Sequence, residues 1–119
     1  MRAMEVTKEY LLSKGYKLKD TSTNKPYDFL ATSGSDEIKV EVKGTTSDIF
    51  DSFLMTTNEV DLHNDEKGMT ALSLVSSIKL KDRGDNPSCQ DGNLEFYDKW
   101  DIGEWSLKPI TFSVKRNLK

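Results

Sequence analysis

Apolar and polar positions alternate most regularly between Tyr27 and Lys43. Tyr27, Phe29 and Ala31 alternate with Asp28, Leu30 and Thr32, and Ile38, Val40 and Val42 alternate with Glu37, Lys39, Glu41 and Lys43. A period of two is the signature of strands. The pattern predicts a hairpin turning at Gly34-Ser35, where a two-residue loop needs a residue tolerant of positive φ. That turn places Tyr27 opposite Val42, Phe29 opposite Val40 and Ala31 opposite Ile38, giving one wholly apolar face. The other face then carries Asp28 directly opposite Glu41, with Lys43 two residues further along.

The rest of the chain reads as support for this hairpin. Ala3, Met4, Val6, Tyr10 and Leu11 make a helical stripe over 3–14, stopped by Gly15. Tyr16 to Lys19 predicts a short strand, and Asp20 to Pro26 a turn-rich connection. After the break at Gly44 to Asp48, a short strand is expected over Phe53-Leu54-Met55. Thr56 and Glu59 then form a capping box that opens a helix to about Glu66, ended by Gly68. Ala71 to Leu80 has the compact apolar character of a central strand. Asp82 to Asn93 reads as a long loop, Leu94 to Tyr97 as a weakly paired segment, and Ile110 to Val114 as a last strand before the basic tail Lys115, Arg116 and Lys119.

Composition narrows the class. A chain of 119 residues fits one domain spanning 1–119, with a single core and one cleft. The helix under way by residue 3 predicts that this domain is part of a longer protein. A formal charge of −3 argues against strong standing attraction to nucleic acid, whose binding is driven by phosphate neutralisation. Cys89 stands alone, and with His63 as the single histidine no ordinary Cys/His zinc site can be assembled. No signal peptide or long apolar run is present, so a cytoplasmic location and no membrane partner are expected.

The candidate chemistry lies on the hairpin's polar face. Cross-strand Cβ atoms are about 4.5–5.5 Å apart, close enough for Asp28 and Glu41 to converge on one cation. Two readings of that pair remain open: a hard metal such as Mg²⁺ or Mn²⁺ binds between the acids, or Lys43 and Lys39 neutralise them as a solvated charge ladder. On spacing alone the ladder is the commoner outcome. Glu5 and Glu9 project away from the first helix's stripe and read as solvated, His63 reads as a surface histidine without a partner, and Trp100 and Trp105 read as packing anchors.

The order helix, three strands, helix, strand, with Pro26-Tyr27-Asp28 followed by Glu41-x-Lys43, resembles the PD-(D/E)XK nuclease superfamily. A wider set of residues is similar to the NO VEIN C-terminal-type domain placed in that superfamily: Ala3-Met4, Tyr10-Leu11, Gly15, Pro26 to Asp28, Val40 to Thr45, Leu54, Thr56 to Glu59, Trp100 and Pro109. The resemblance implies an α/β, restriction-endonuclease-like fold with a mixed sheet flanked by helices. It implies Mg²⁺ or Mn²⁺ held by Asp28, Glu41 and the Val42 carbonyl, with Asp28, Glu41 and Lys43 as the catalytic set. The implied activity is hydrolysis of DNA phosphodiester bonds within a restriction, defence or DNA-processing protein. The implied partners are nucleic acid, DNA ahead of RNA, and the other domains of a parent protein, with room for a homodimer. Such domains often add an acid from the first helix, which here would fall before Ala3, where only Met1 and Arg2 stand. A nuclease-like fold that binds without cutting is the alternative, and a purely structural ion-pair network is a third.

Overall fold

A computed structural model describes residues 2–81, 88–110, 114 and 116. Helix α1 (Arg2–Ser13) is followed by strands β1 (Lys17–Asp20), β2 (Phe29–Ser33) and β3 (Asp36–Gly44), helix α2 (Thr57–Asp65) and strand β4 (Thr70–Ser76). Short strands β5 (Lys79–Lys81) and β6 (Ser88–Gln90) pair with each other, and β7 (Asn93–Tyr97) returns to the main sheet. The main sheet has five strands in the order β1-β2-β3-β4-β7. It is mixed: β3 and β4 run parallel, joined through α2, and the other neighbours are antiparallel. The architecture is therefore α+β, with the predicted helix, three strands, helix and strand in order.

The hairpin forms in the expected register, with Phe29 opposite Val40, Ala31 opposite Ile38 and Ser33 opposite Asp36. Gly34 sits at φ +60°, the left-handed backbone that the first central position of such a turn demands. The apolar face, Phe29, Ala31, Ile38, Val40 and Val42, joins Ala71 and Val75 of β4 beneath α1. Helix α1 buries Ala3, Thr7 and Leu11 against it. Thr7 is polar yet fully satisfied: its hydroxyl donates to the Ala3 carbonyl at 2.8 Å and shares a 2.7 Å hydrogen bond with the Ser73 hydroxyl. That bond ties the helix to β4, and Gly44 lets the start of α1 approach, since a Cβ there would stand 2.8 Å from the Ala3 Cβ.

The opposite face carries a second core of Leu72, Leu74, Trp100 and Ile102, with Phe50, Phe53, Met55, Val60 and Tyr97 packed around it. This is where the sequence reading needs correction. Phe53-Leu54-Met55 forms no strand; Phe53 and Met55 turn inward while Leu54 is exposed, so a coil segment supplies the apolar contacts expected of a strand. The Ala71–Leu80 run divides at Ser77, which adopts φ 55°, and the chain leaves the main sheet for β5. Leu94 to Tyr97, expected to pair weakly, belongs to β7 and pairs with β4 from Leu72–Tyr97 to Ser76–Asn93. The strand expected over Ile110–Val114 and the tail residues Lys115 and Lys119 lie largely outside the described residues.

Trp100 is the anchor of the second core. It is 5% exposed, and its indole Nε1–H donates to His63 Nδ1 at 2.8 Å, while Trp105 meets its ring edge-on at 5.5 Å. Replacing Trp100 by Ala removes a buried aromatic and leaves a buried histidine nitrogen without its donor. This substitution is expected to cost about 3–5 kcal/mol. Urea denaturation checks it, as a lower midpoint at unchanged slope.

Candidate functional site

Residues Thr21 to Asp28 are held as a compact loop before β2 begins. The Thr21 carbonyl accepts from the Asn24 and Lys25 N–H groups, and the Thr21 N–H and hydroxyl donate to the Asp28 and Tyr27 carbonyls. This brings Asp28 to the end of the β2–β3 ladder rather than into it. The assigned pairing stops at Phe29–Val40, and the Asp28 N–H donates to the Val40 carbonyl at 2.8 Å. In place of the next ladder bond, Asp28 Oδ2 accepts from the Val42 N–H at 2.8 Å. Asp28 therefore stands beside Glu41, but as a carboxylate capping the strand edge instead of as a regular cross-strand partner.

Backbone parity puts Val42 at the same edge. Lys39 and Thr45 donate their N–H groups to Met69 and Val75 on the β4 side. Even-numbered residues between them therefore point their backbone groups to the β2 side, because N–H and C=O of one strand residue share a direction. The Val42 carbonyl thus faces the edge that Asp28 occupies.

Glu41 lies on the central strand with its side chain on the α2 face. It is 3% exposed, and its Oε2 has no hydrogen-bond partner. The solvated-ladder reading does not describe it, because α2 and the Thr21–Asp28 loop cover this part of the sheet. Lys43 Nζ is 3.5 Å from Glu41 Oε1 and 3.4 Å from Glu59 Oε1. Lys39 does not join them; it pairs with Glu66 at 2.7 Å. An open groove of about 450 Å³ runs past Asp28, Glu41 and Glu59, with Lys25, Tyr27 and Asn58 along its sides.

Burial raises the Glu41 pKa to about 9, and the neighbouring Asp28 and Glu59 carboxylates add to the rise; the Lys43 ammonium opposes it without offsetting it. A hydrogen bond with Asp28, available to the protonated acid, acts in the same upward direction. Metal-free Glu41 is thus a neutral acid at neutral pH, and a bound divalent cation would favour its ionised form. Among the described residues no three His, Cys, Asp or Glu side chains converge at metal-holding spacing, and the Lys43 ammonium bridges Glu41 and Glu59. The oxygen donors nonetheless suit a hard cation: an unpartnered buried carboxyl oxygen, an adjacent carboxylate and a backbone carbonyl at the same edge.

Two residues differ from the sequence reading. His63 is fully buried instead of lying at the surface, and burial lowers its pKa to about 4. Because Trp100 donates to Nδ1, the neutral ring carries its proton on Nε2, which has no partner. Glu59 was legible only as a capping residue, a role it does fill: its Oε1 accepts from the Thr56 N–H at 3.1 Å while Thr56 Oγ1 accepts from the Glu59 N–H. Its second position, beside Lys43 on the groove, follows from where α2 lies. Glu5 stands elsewhere, paired with Arg2 and lining a separate depression with Lys8 and Asp20.

The fold and site define an α+β domain in which a buried acid on the central strand and a strand-capping aspartate line one groove, with a lysine paired to the buried acid. The chain belongs to the family described as Protein NO VEIN, C-terminal, whose model matches residues 1–87. No curated protein and no solved structure matches it. The matched span holds every member of the site but ends before β6, β7, Trp100 and Ile102, which complete the sheet and second core. Among the described residues no helix is long and apolar enough to cross a membrane.

The two shifted groups give the metal-free chain a defined pH profile. Folded Glu41 keeps its proton to about pH 9, whereas an unfolded glutamic acid loses it near its ordinary value of 4.5, so its contribution is complete below 4.5 and declines as pH rises through 9. His63 works oppositely, adding stability as pH rises from about 4 to 6.5. The two offset each other below 6.5. Between pH 6.5 and 9 stability is expected to fall, by at most about 1.4 kcal/mol per pH unit for one proton. Urea titrations across that range check this, and Glu41→Gln is expected to flatten the decline.

Proposed function

We propose that this chain is a metal-dependent nuclease domain of the PD-(D/E)XK type, with a restriction-endonuclease-like core, acting on DNA phosphodiester bonds with Mg²⁺ or Mn²⁺. The observation that carries this reading is Glu41: a nearly fully buried carboxyl with an unpartnered oxygen, next to Asp28 and two residues before Lys43. A group that costs so much to ionise is poorly explained by an exposed ion-pair network. It is well explained as a cation ligand.

Asp28, Glu41 and the Val42 carbonyl would hold the ion, which supplies Lewis acidity toward a phosphoryl oxygen and a lower pKa for a bound water. Asp28 is kept in place by the Val42 N–H, and Glu41 by the central strand, so neither has to be ordered when the ion arrives. Lys43, held between Glu41 and Glu59, would use its ammonium to orient the attacking water or stabilise charge growing on the phosphate. Lys25 adds a second positive charge on the groove wall. These local charges, together with the ion, let a domain of net charge −3 accept a polyanion at one place. Target selection and attachment to a larger restriction, defence or DNA-processing protein would come from other domains.

Mn²⁺ at about a hundred times its Kd should stabilise the chain by about 2.7 kcal/mol, seen as a rise in Tm on the order of 10 °C. Asp28→Asn and Glu41→Gln are each expected to abolish that rise. Lys43→Ala is expected to keep it while lowering cleavage of DNA about a hundredfold or more. No thermal shift at millimolar Mn²⁺ or Mg²⁺ would refute the metal reading. A shift without cleavage of single- or double-stranded DNA or RNA would instead assign a binding module.

A further inference from the structure

Resting on the nuclease reading above, we propose that Glu59 is the positioning residue of Lys43, so that the capping box of α2 fixes where the lysine ammonium stands in the reaction. A lysine side chain is a point charge on a flexible stem, and it aims reliably at a phosphoryl group only when its end is held. Lys43 leaves β3 on the face that α2 covers, and two acids meet its ammonium there: Glu59 Oε1 at 3.4 Å and Glu41 Oε1 at 3.5 Å. In the reading above Glu41 serves the ion. Glu59 is then the carboxylate left to Lys43.

Glu59 is itself anchored. Its Oε1 accepts from the Thr56 N–H at 3.1 Å, and its own N–H donates to Thr56 Oγ1, so both its carboxylate and its backbone are tied to the N-cap. The side chain is 13% exposed, whereas a glutamate with no role beyond a cap is usually left in solvent. A second lysine on β3 shows what a purely structural link to α2 looks like. Lys39 Nζ meets both oxygens of Glu66, at 2.7 and 3.0 Å, at the other end of the helix. Hydrogen bonds that short commit an ammonium to one partner. Lys43 makes no such short contact with either acid among the described residues. It is placed by Glu59 without being bound as tightly, and so stays able to donate to a substrate oxygen in the groove that Asp28, Glu41 and Glu59 line.

The test pairs Glu59→Gln, which keeps the capping box and removes the charge, with Glu66→Gln, which removes the structural ion pair from the same helix. Glu59→Gln is expected to lower kcat for DNA cleavage with Mn²⁺ about ten- to a hundredfold, with KM and the Mn²⁺ thermal shift unchanged, while Glu66→Gln keeps kcat. Because Glu59 acts through Lys43, Glu59→Gln is expected to cause no further loss in a Lys43→Ala background. The metal-free chain gives a second readout: the ammonium proton NMR signal of Lys43, identified by its absence in Lys43→Ala. That signal is expected in the unaltered chain and in Glu66→Gln, and is expected to vanish in Glu59→Gln. A signal that persists in Glu59→Gln or is absent from the unaltered chain, an unchanged kcat in Glu59→Gln, or a full additional loss on top of Lys43→Ala would each overturn the assignment. Equal losses of kcat in Glu59→Gln and Glu66→Gln would make Glu59 a structural residue of α2 only. A signal lost in Glu59→Gln, with no cleavage by the unaltered chain, would overturn the nuclease reading and leave Glu59 as a structural partner of Lys43.

Discussion

Desolvating the Glu41 carboxyl on the central strand costs free energy that Asp28 and Glu59 increase and that Lys43 only partly offsets. Most of the surrounding structure can be understood from that imbalance. Asp28 is drawn to the strand end by the Val42 N–H, Lys43 is held between two acids, and α2 is set down so that its capping glutamate meets the lysine. A folded protein retains such a group when the alternative, a well-packed apolar residue, would sacrifice something it needs. The cation site proposed above would be such a need.

The two faces of the sheet divide the labour. The α1 face is a conventional apolar core, and its buried hydroxyls among the described residues, Thr7 and Ser73, satisfy each other. The α2 face combines a second core with the polar groove, and the side chains with unpartnered buried atoms, Glu41, His63 and Thr70, lie on this side. His63 links the two halves of that face. It takes a hydrogen bond from Trp100, which lies beyond the family-matched span, and sits on the same helix as Glu59. Described residues after 87 therefore support the helix that lines the groove, even though none of those described lines the groove beside the acids. The position of α2 depends on packing contributed by both parts of the chain.

Strands β2 and β3, their turn and both helices were legible in the sequence because each is written in local chemistry. A period of two with Gly34 at the turn specifies the hairpin, and Thr56 with Glu59 specifies the start of α2. Asp28, Glu41 and Lys43 were legible as candidates through spacing and family resemblance. Their environment was not. Alternating charges on a strand look the same whether the face is wet or covered, and only the packing of α2 decides that Glu41 is dry. The same blindness made His63 look like a surface residue, since a nine-residue helix does not announce which neighbour its histidine will meet.

The sequence by itself determined the order from α1 to β3 and the start of α2, the hairpin register from Phe29–Val40 to the turn, the apolar face beneath α1 and the identity of the acid and lysine candidates. Tertiary structure decided which acids stand together. It ended the ladder at Phe29, turned Asp28 into a cap on the strand edge, buried Glu41 and brought Glu59 to Lys43 across sixteen residues of chain. The physical reason is that periodicity and capping act within a few residues, whereas desolvation and charge proximity depend on which surfaces the folded chain lays against one another.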